Sequence, residues 1–244
     1  MAKIINGYIG KNIEEAPGNL WEDLQSAFEF KSVTGSDANK IFKISNKVSI
    51  NFKNFDMSQE SNAEITVSVN NVEITIDTFM YNYFNKVAYQ IVVGSKGDVI
   101  VRIPSSYDSM DSMRNNSFLQ FAIVKAKNTV DTEKEDSYGV YVPYSHDSPF
   151  NPTPKYLVTD DVTMDEANSG RSGTTISTIL QFIENDNSAV TALIPIFAVC
   201  SQCVSVNSYV MAIGNGYRTG ETVLNGKKYY MVGGFAMLEG DVDD

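Results

Sequence analysis

Lys40-Ile-Phe-Lys-Ile-Ser-Asn-Lys-Val-Ser-Ile-Asn-Phe-Lys53 is the stretch whose reading decides the fold. Its apolar residues recur at every second position. Phe42 and Ile44 fall on one side, with Val48, Ile50 and Phe52 continuing that stripe beyond a turn at Asn46-Lys47, while Ile41, Lys43 and Ser45 fall on the other. Alternation of this kind is the strand's own period, because successive side chains point to opposite faces of a sheet. The stretch therefore predicts two antiparallel strands with one buried face.

Upstream the period changes. Asn19-Leu-Trp-Glu-Asp-Leu-Gln-Ser-Ala-Phe-Glu-Phe30 places Leu20, Leu24, Ala27 and Phe28 on one helical face. Asn19 suits the N-cap, Glu22 and Asp23 suit the first turn, and Pro17-Gly18 punctuates the start. The spacing predicts one amphipathic helix near residues 19–30, ended by a Thr34-Gly35-Ser36-Asp37 loop.

Downstream the alternation persists. Strands are expected at 63–69 and 72–76 around Asn70-Asn71, and at 87–93 and 99–103 around Gly94-Ser95-Lys96-Gly97-Asp98. Further strands are expected at 118–126, 138–144, 190–199, 204–213 and 235–238, with 176–183 ambiguous between strand and helix. Glu221 to Val232 forms a hairpin about Asn225-Gly226. The expected fold is mainly β: antiparallel, sandwich-like or barrel-like, with one N-terminal amphipathic helix and a long Pro-rich arm.

That arm is residues 145–173. Pro149, Pro152 and Pro154 stiffen it, an acidic run follows (Asp160, Asp161, Asp165, Glu166), and Ser169-Gly-Arg-Ser-Gly closes it. It separates a β-rich region, 1–144, from C-terminal strands, 174–244, which form a second domain or continue the first. Phe150 and Tyr156 give the arm apolar anchors and Arg171 an ion-pairing end, so it is expected to lie across a neighbouring subunit. Tyr138, Tyr141 and Tyr144 form an aromatic cluster that suits an interface.

Composition narrows the function. The 244 residues carry a net charge of −11, which repels phosphate backbones and argues against direct nucleic-acid binding. The cationic residues include only four arginines, so bidentate anion clamps are scarce. No apolar run approaches the roughly 20 residues that span a bilayer, and no secretory leader is visible, so membrane association is not expected. Two cysteines fit synthesis and folding in a reducing cytoplasm.

Candidate chemistry is sparse. Cys200-Ser-Gln-Cys203 lies between two strand-like runs and not at a helix N-terminus, so it reads as a pair of structural thiols. Zinc would need two further soft ligands, and the chain has a single histidine, His146, in a Pro-rich loop. No nucleophile elbow is present. The acidic runs 160–166 and 239–244 offer oxygen ligands of the kind Ca²⁺ takes, without an EF-hand pattern, and read as solvated loops. No catalytic, cofactor-binding or metal-ligating set is therefore assigned. The chain reads as a non-enzyme that needs no cofactor.

The segment Tyr217-Arg-Thr-Gly-Glu-Thr-Val-Leu-Asn-Gly-Lys-Lys-Tyr-Tyr-Met-Val-Gly-Gly-Phe-Ala-Met237 resembles the terminal hairpin of small virion proteins of tailed bacteriophages. The composition is also similar to that of phage structural proteins, with Lys over Arg, abundant Asn, Ile and Tyr, and little His or Cys. The resemblance covers about a tenth of the chain and carries over no functional residue. It implies a particle component of the neck, tail, baseplate or head decoration, made in the host cytoplasm and located in the virion. Its partners would be copies of itself and other virion proteins. Two other classes fit the same residues: a β-sandwich carbohydrate-binding module, whose tyrosines would stack on sugars, and a hydrolase built on a carboxylate pair. A glycan-array hit marks the first of these. Turnover abolished by an Asp→Asn change marks the second.

Overall fold

A computed structural model describes residues 2–9, 19–55, 61–69, 72–81, 87–104, 118–126, 137–142, 156–158, 163–164, 181–184, 190–199, 204–213, 218–224 and 226–240. Among these residues the chain is one helix and eighteen strands in three sheets, mainly β as the alternation predicts.

The helix, α1, runs Leu20–Ala27. The Asn19 side chain accepts hydrogen bonds from the Trp21 and Glu22 amides, satisfying two donors that a helix start leaves open. Its buried residues are Leu20, Trp21, Leu24 and Ala27.

Strand β1 is Lys3–Ile9. Strands β2 (Ser32–Ser36), β3 (Asn39–Lys43), β4 (Val48–Lys53), β5 (Ser61–Val69) and β6 (Val72–Tyr81) form an antiparallel five-stranded sheet in sequence order. Phe42 pairs with Ile50, and Ile50 with Val67, so the apolar stripe read at 40–53 becomes one continuous buried face. Trp21 of α1 sits among Phe42, Phe52 and Phe55 at ring-centroid distances of 5.8, 5.1 and 5.7 Å. The contacts with Phe52 and Phe55 are edge-on, the arrangement the ring quadrupoles favour.

Strands β7 (Val87–Val93), β8 (Val99–Pro104), β9 (Phe118–Ala126), β10 (Ser137–Val142), β11 (Tyr156–Val158) and β12 (Thr163–Met164) join β1 in a seven-stranded sheet, ordered β1-β7-β8-β9-β10-β11-β12. Strands β13 (Gln181–Glu184), β14 (Val190–Val199), β15 (Val204–Ile213), β16 (Arg218–Leu224), β17 (Lys227–Gly233) and β18 (Phe235–Leu238) form a six-stranded antiparallel sheet, ordered β13-β14-β15-β18-β17-β16. Its two edge strands, β13 and β16, approach within 8 Å between Cα atoms, so this sheet curls toward a barrel.

The chain divides into two compact units. One comprises Ile4–Ile91 and Val101–Leu119; the other comprises Met1–Lys3, Val92–Ile100 and Gln120–Asp244. A linear boundary at residue 144 does not describe them. In the second unit Ala122, Val124 and Tyr141 pack with Val210, Val232, Phe235 and Met237 in one sandwich-like core, so β9 and β10 belong with the C-terminal strands. A Cβ on Gly94 would lie 2.6 Å from the Met237 sulfur, so a larger residue there would have to displace that side chain. The Gln120 side-chain oxygen accepts from the Gly234 amide across the same unit.

Two further expectations are corrected. The Thr34–Asp37 loop is instead β2 and the turn that follows it; pairing with β3 overrides the weak strand pattern of Ser-Val-Thr-Gly-Ser. Strand β1 lies in a segment where no element was expected. Within the segment read as an arm, Tyr156–Val158 pairs with β10 and Thr163–Met164 with β11. Residues 145–155, 159–162 and 165–173 lie outside the described residues.

In the first unit a buried tyrosine anchors the helix. Tyr89 of β7 is fully buried and its hydroxyl donates to the Asp23 carboxylate of α1. A Cβ on Gly7 would lie 2.2 Å from the Tyr89 ring, so only glycine lets β1 pass there. Burial, then the hydrogen bond to Asp23, then the charges of Asp23 and Glu22 raise the Tyr89 pKa well above the ordinary tyrosine value of 10.0. A tyrosine held neutral in the fold stabilises it fully below pH 10.0, and that contribution is lost as pH climbs through the raised value. Tyr89→Phe is expected to cost about 2 kcal/mol at neutral pH, because Asp23 loses its donor. The variant should also lose stability less steeply above pH 10.0 than the parent, as read by urea titrations at each pH. Equal alkaline slopes would disprove the linkage.

Candidate functional site

The outer face of the five-stranded sheet is polar where the inner face is aromatic. Asn51 of β4 is buried at its centre and binds in three directions. Its amide donates to Thr66 Oγ1 (3.2 Å) and to Glu73 Oε1 (3.0 Å), and its carbonyl accepts from Ser49 Oγ (2.9 Å). Lys53 Nζ bonds the other oxygen of Glu73, and Thr75 Oγ1 donates to Glu64 Oε1 at 3.1 Å. The network ties β4, β5 and β6 together and fixes their register. Each of these carboxylates holds a partner, and the arrangement organises the polar surface of the sheet.

The second unit has a smaller cluster at its rim. Lys228 Nζ lies 2.8 Å from Glu221 and 3.0 Å from Glu239. The hydrogen bonds to those two carboxylates raise the lysine's pKa. Exposed pairs of this kind contribute little to stability.

The edge of the five-stranded sheet is its most open feature. Strand β2 pairs with β3 on one side, and its order in the sheet places no strand on the other among the described residues. Ser32, Thr34, Gly35 and Ser36 are exposed and Val33 is half-buried. No residue from Ser32 to Ser36 is charged, and no proline interrupts them. Lys31 and Asp37 flank the strand at its two ends, both exposed.

The residues assigned to an interface from the sequence fall as follows. Phe150, Arg171 and Tyr144 lie outside the described residues. Tyr138 and Tyr156 lie in β10 and β11, where Tyr138 is opposite Lys125 and Tyr156 opposite Val142. Tyr141 is a correction: it is fully buried and stacks edge-on against Phe235 at 5.6 Å, so its ring belongs to the core. Burial raises its pKa far above the ordinary tyrosine value. His146, Cys200, Cys203 and the acidic residues 160–166 also lie outside the described residues.

Among the described residues no three of His, Cys, Asp and Glu converge as a metal site. No described helix is long and apolar enough to cross a membrane. Comparison with protein-family models, with curated proteins and with solved structures finds no match to this chain.

Proposed function

We propose that this chain is a structural component of a bacteriophage particle, from the neck, tail, baseplate or head-decoration set, and that it works by packing into a symmetric oligomer and not by turnover. The particle assignment is supported by the C-terminal hairpin sequence, residues 217–237, and by the Lys-, Asn- and Tyr-rich, His-poor composition. One structural observation carries the assembly part: a five-stranded sheet whose edge strand, β2, is exposed and uncharged. Open sheet edges template further strands, and natural monomers blunt them with charge, proline or bulges. An edge strand with no charge and no proline within it fits a chain that meets a neighbour there.

The test is sedimentation velocity of the purified chain across the micromolar range, with mass spectrometry of the particle from which the gene comes. The expected result is a concentration-dependent oligomer and recovery of the chain as a stoichiometric particle protein. A monomer at every concentration, absent from purified particles, rules the proposal out.

A further inference from the structure

We infer that β2 pairs antiparallel with β2 of a second copy about a two-fold axis at Thr34, joining two five-stranded sheets edge to edge. The inference deepens the assembly reading and rests on it.

Comparison of the described edges comes first. Strand β6, at the other edge of the same sheet, carries Glu73 and Asp77, and its pairing with β5 shifts register at Ile65/Thr66. Strands β13 and β16 carry charges and approach each other. Strand β12 is two residues long, and β1 opens on Lys3. Of the described edge strands longer than two residues, β2 alone carries no charge within it. Charge and proline are therefore absent within β2 alone among these strands, and its irregularities are Gly35 at φ 93° and the Lys31 amide, which bonds Lys43 O beside the Ser32–Lys43 pair.

Register comes second. Ser36 pairs with Asn39 around a turn at Asp37-Ala38, so Thr34 pairs with Ile41 and Ser32 with Lys43. In an antiparallel ladder the hydrogen-bonded pairs alternate along the strand. Counting from the pair that closes the turn, Ser32, Thr34 and Ser36 direct their backbone groups toward β3, and Val33 directs its own toward the open edge. A two-fold axis at Thr34 sets Val33 opposite the partner's Gly35. That juxtaposition matches backbone to backbone, and glycine leaves room for the valine side chain. Thr34 then meets the partner's Thr34, a cross-strand pair that sheets favour.

Charge comes third. Carried one residue past each end of β2, the same register brings Lys31, at a bend, beside the partner's Asp37, in the turn, and the symmetry repeats the pair at the other end. Asp37 is 88% exposed in its side chain and, among the described residues, pairs with Lys40 at 2.9 Å. Two complementary pairs thus bracket an uncharged strand. A self-complementary patch is what an isologous interface requires.

The experiment uses the full chain with Cys200→Ser and Cys203→Ser as background. Only a residue on the axis meets its own copy, so Thr34→Cys is expected to form a disulfide-linked dimer under mild oxidation. Ser32→Cys and Ser36→Cys, each alone, should not crosslink; an equal mixture of the two should, because those positions face each other. In the original background Lys31→Glu should weaken self-association roughly tenfold, and adding Asp37→Lys should restore it. The emission of Trp21, buried in the same unit, verifies that each variant is folded. If the chain oligomerises but Thr34→Cys does not crosslink, or Ser32→Cys alone crosslinks as well, the edge pairing is wrong and the assembly reading stands. If the chain never oligomerises, both fall.

Discussion

Trp21→Ala is expected to destabilise the first unit by about 4 kcal/mol, enough to unfold its five-stranded sheet in part at room temperature. The side chain is 7% exposed and touches three phenylalanine rings, so its removal leaves a cavity lined by Phe42, Phe52 and Phe55. Phe42 and Phe52 cannot close it without leaving β3 and β4. Guanidinium titration followed by far-UV circular dichroism checks this, since the substitution removes the chain's only tryptophan. A midpoint unchanged from the parent would show that α1 is a surface attachment and not part of the core.

Phe235→Ala is expected to have a comparable effect on the second unit, again about 4 kcal/mol. Phe235 is fully buried, stacks on Tyr141 and sits in β18, between β15 and β17. Its loss strips the Tyr141 ring of an edge-on partner and opens the core shared by β9, β10, β15 and β18. Trp21 should report this change weakly or not at all, because it belongs to the other unit. Amide hydrogen exchange resolves the two: protection should fall across β15, β17 and β18 while β3 to β5 keep theirs. Uniform loss would mean that the units unfold as one.

Much of the fold is legible in the residues because local signals and tertiary packing agree there. Asn19 caps α1 as its side chain suggests, and the Val48-Ile50-Phe52 stripe is the buried face. Strands β9, β14, β15 and β18 occupy the bounds their apolar runs mark. Strand β2 was hidden because only Val33 is apolar in Ser-Val-Thr-Gly-Ser, and Gly35, at φ 93°, looks like loop punctuation. Its strand character comes from β3, a partner that no local window contains. Tyr141 departs from its reading for a different reason. Tyrosine density marks a core and a surface alike, since the ring is apolar and its hydroxyl polar. Positions three apart on a strand also fall on opposite faces, so the Tyr138-to-Tyr141 spacing never described one surface. That signal was present in the sequence. The interleaving of the units was not, because it depends on contacts between residues 92–100 and strands more than a hundred positions later.

That interleaving sets a timetable for synthesis. By the time Leu119 has left the ribosome, every residue of the first unit exists, on the order of ten seconds into translation. The second unit must wait for β18, near the end of the chain, before Val92 and Ile100 find their core. For half of its birth, then, each nascent molecule carries a finished aromatic core and a finished open edge on an unfinished polypeptide. Chains growing side by side on one messenger hold those edges at high local concentration. Pairing between them can begin before either molecule is complete.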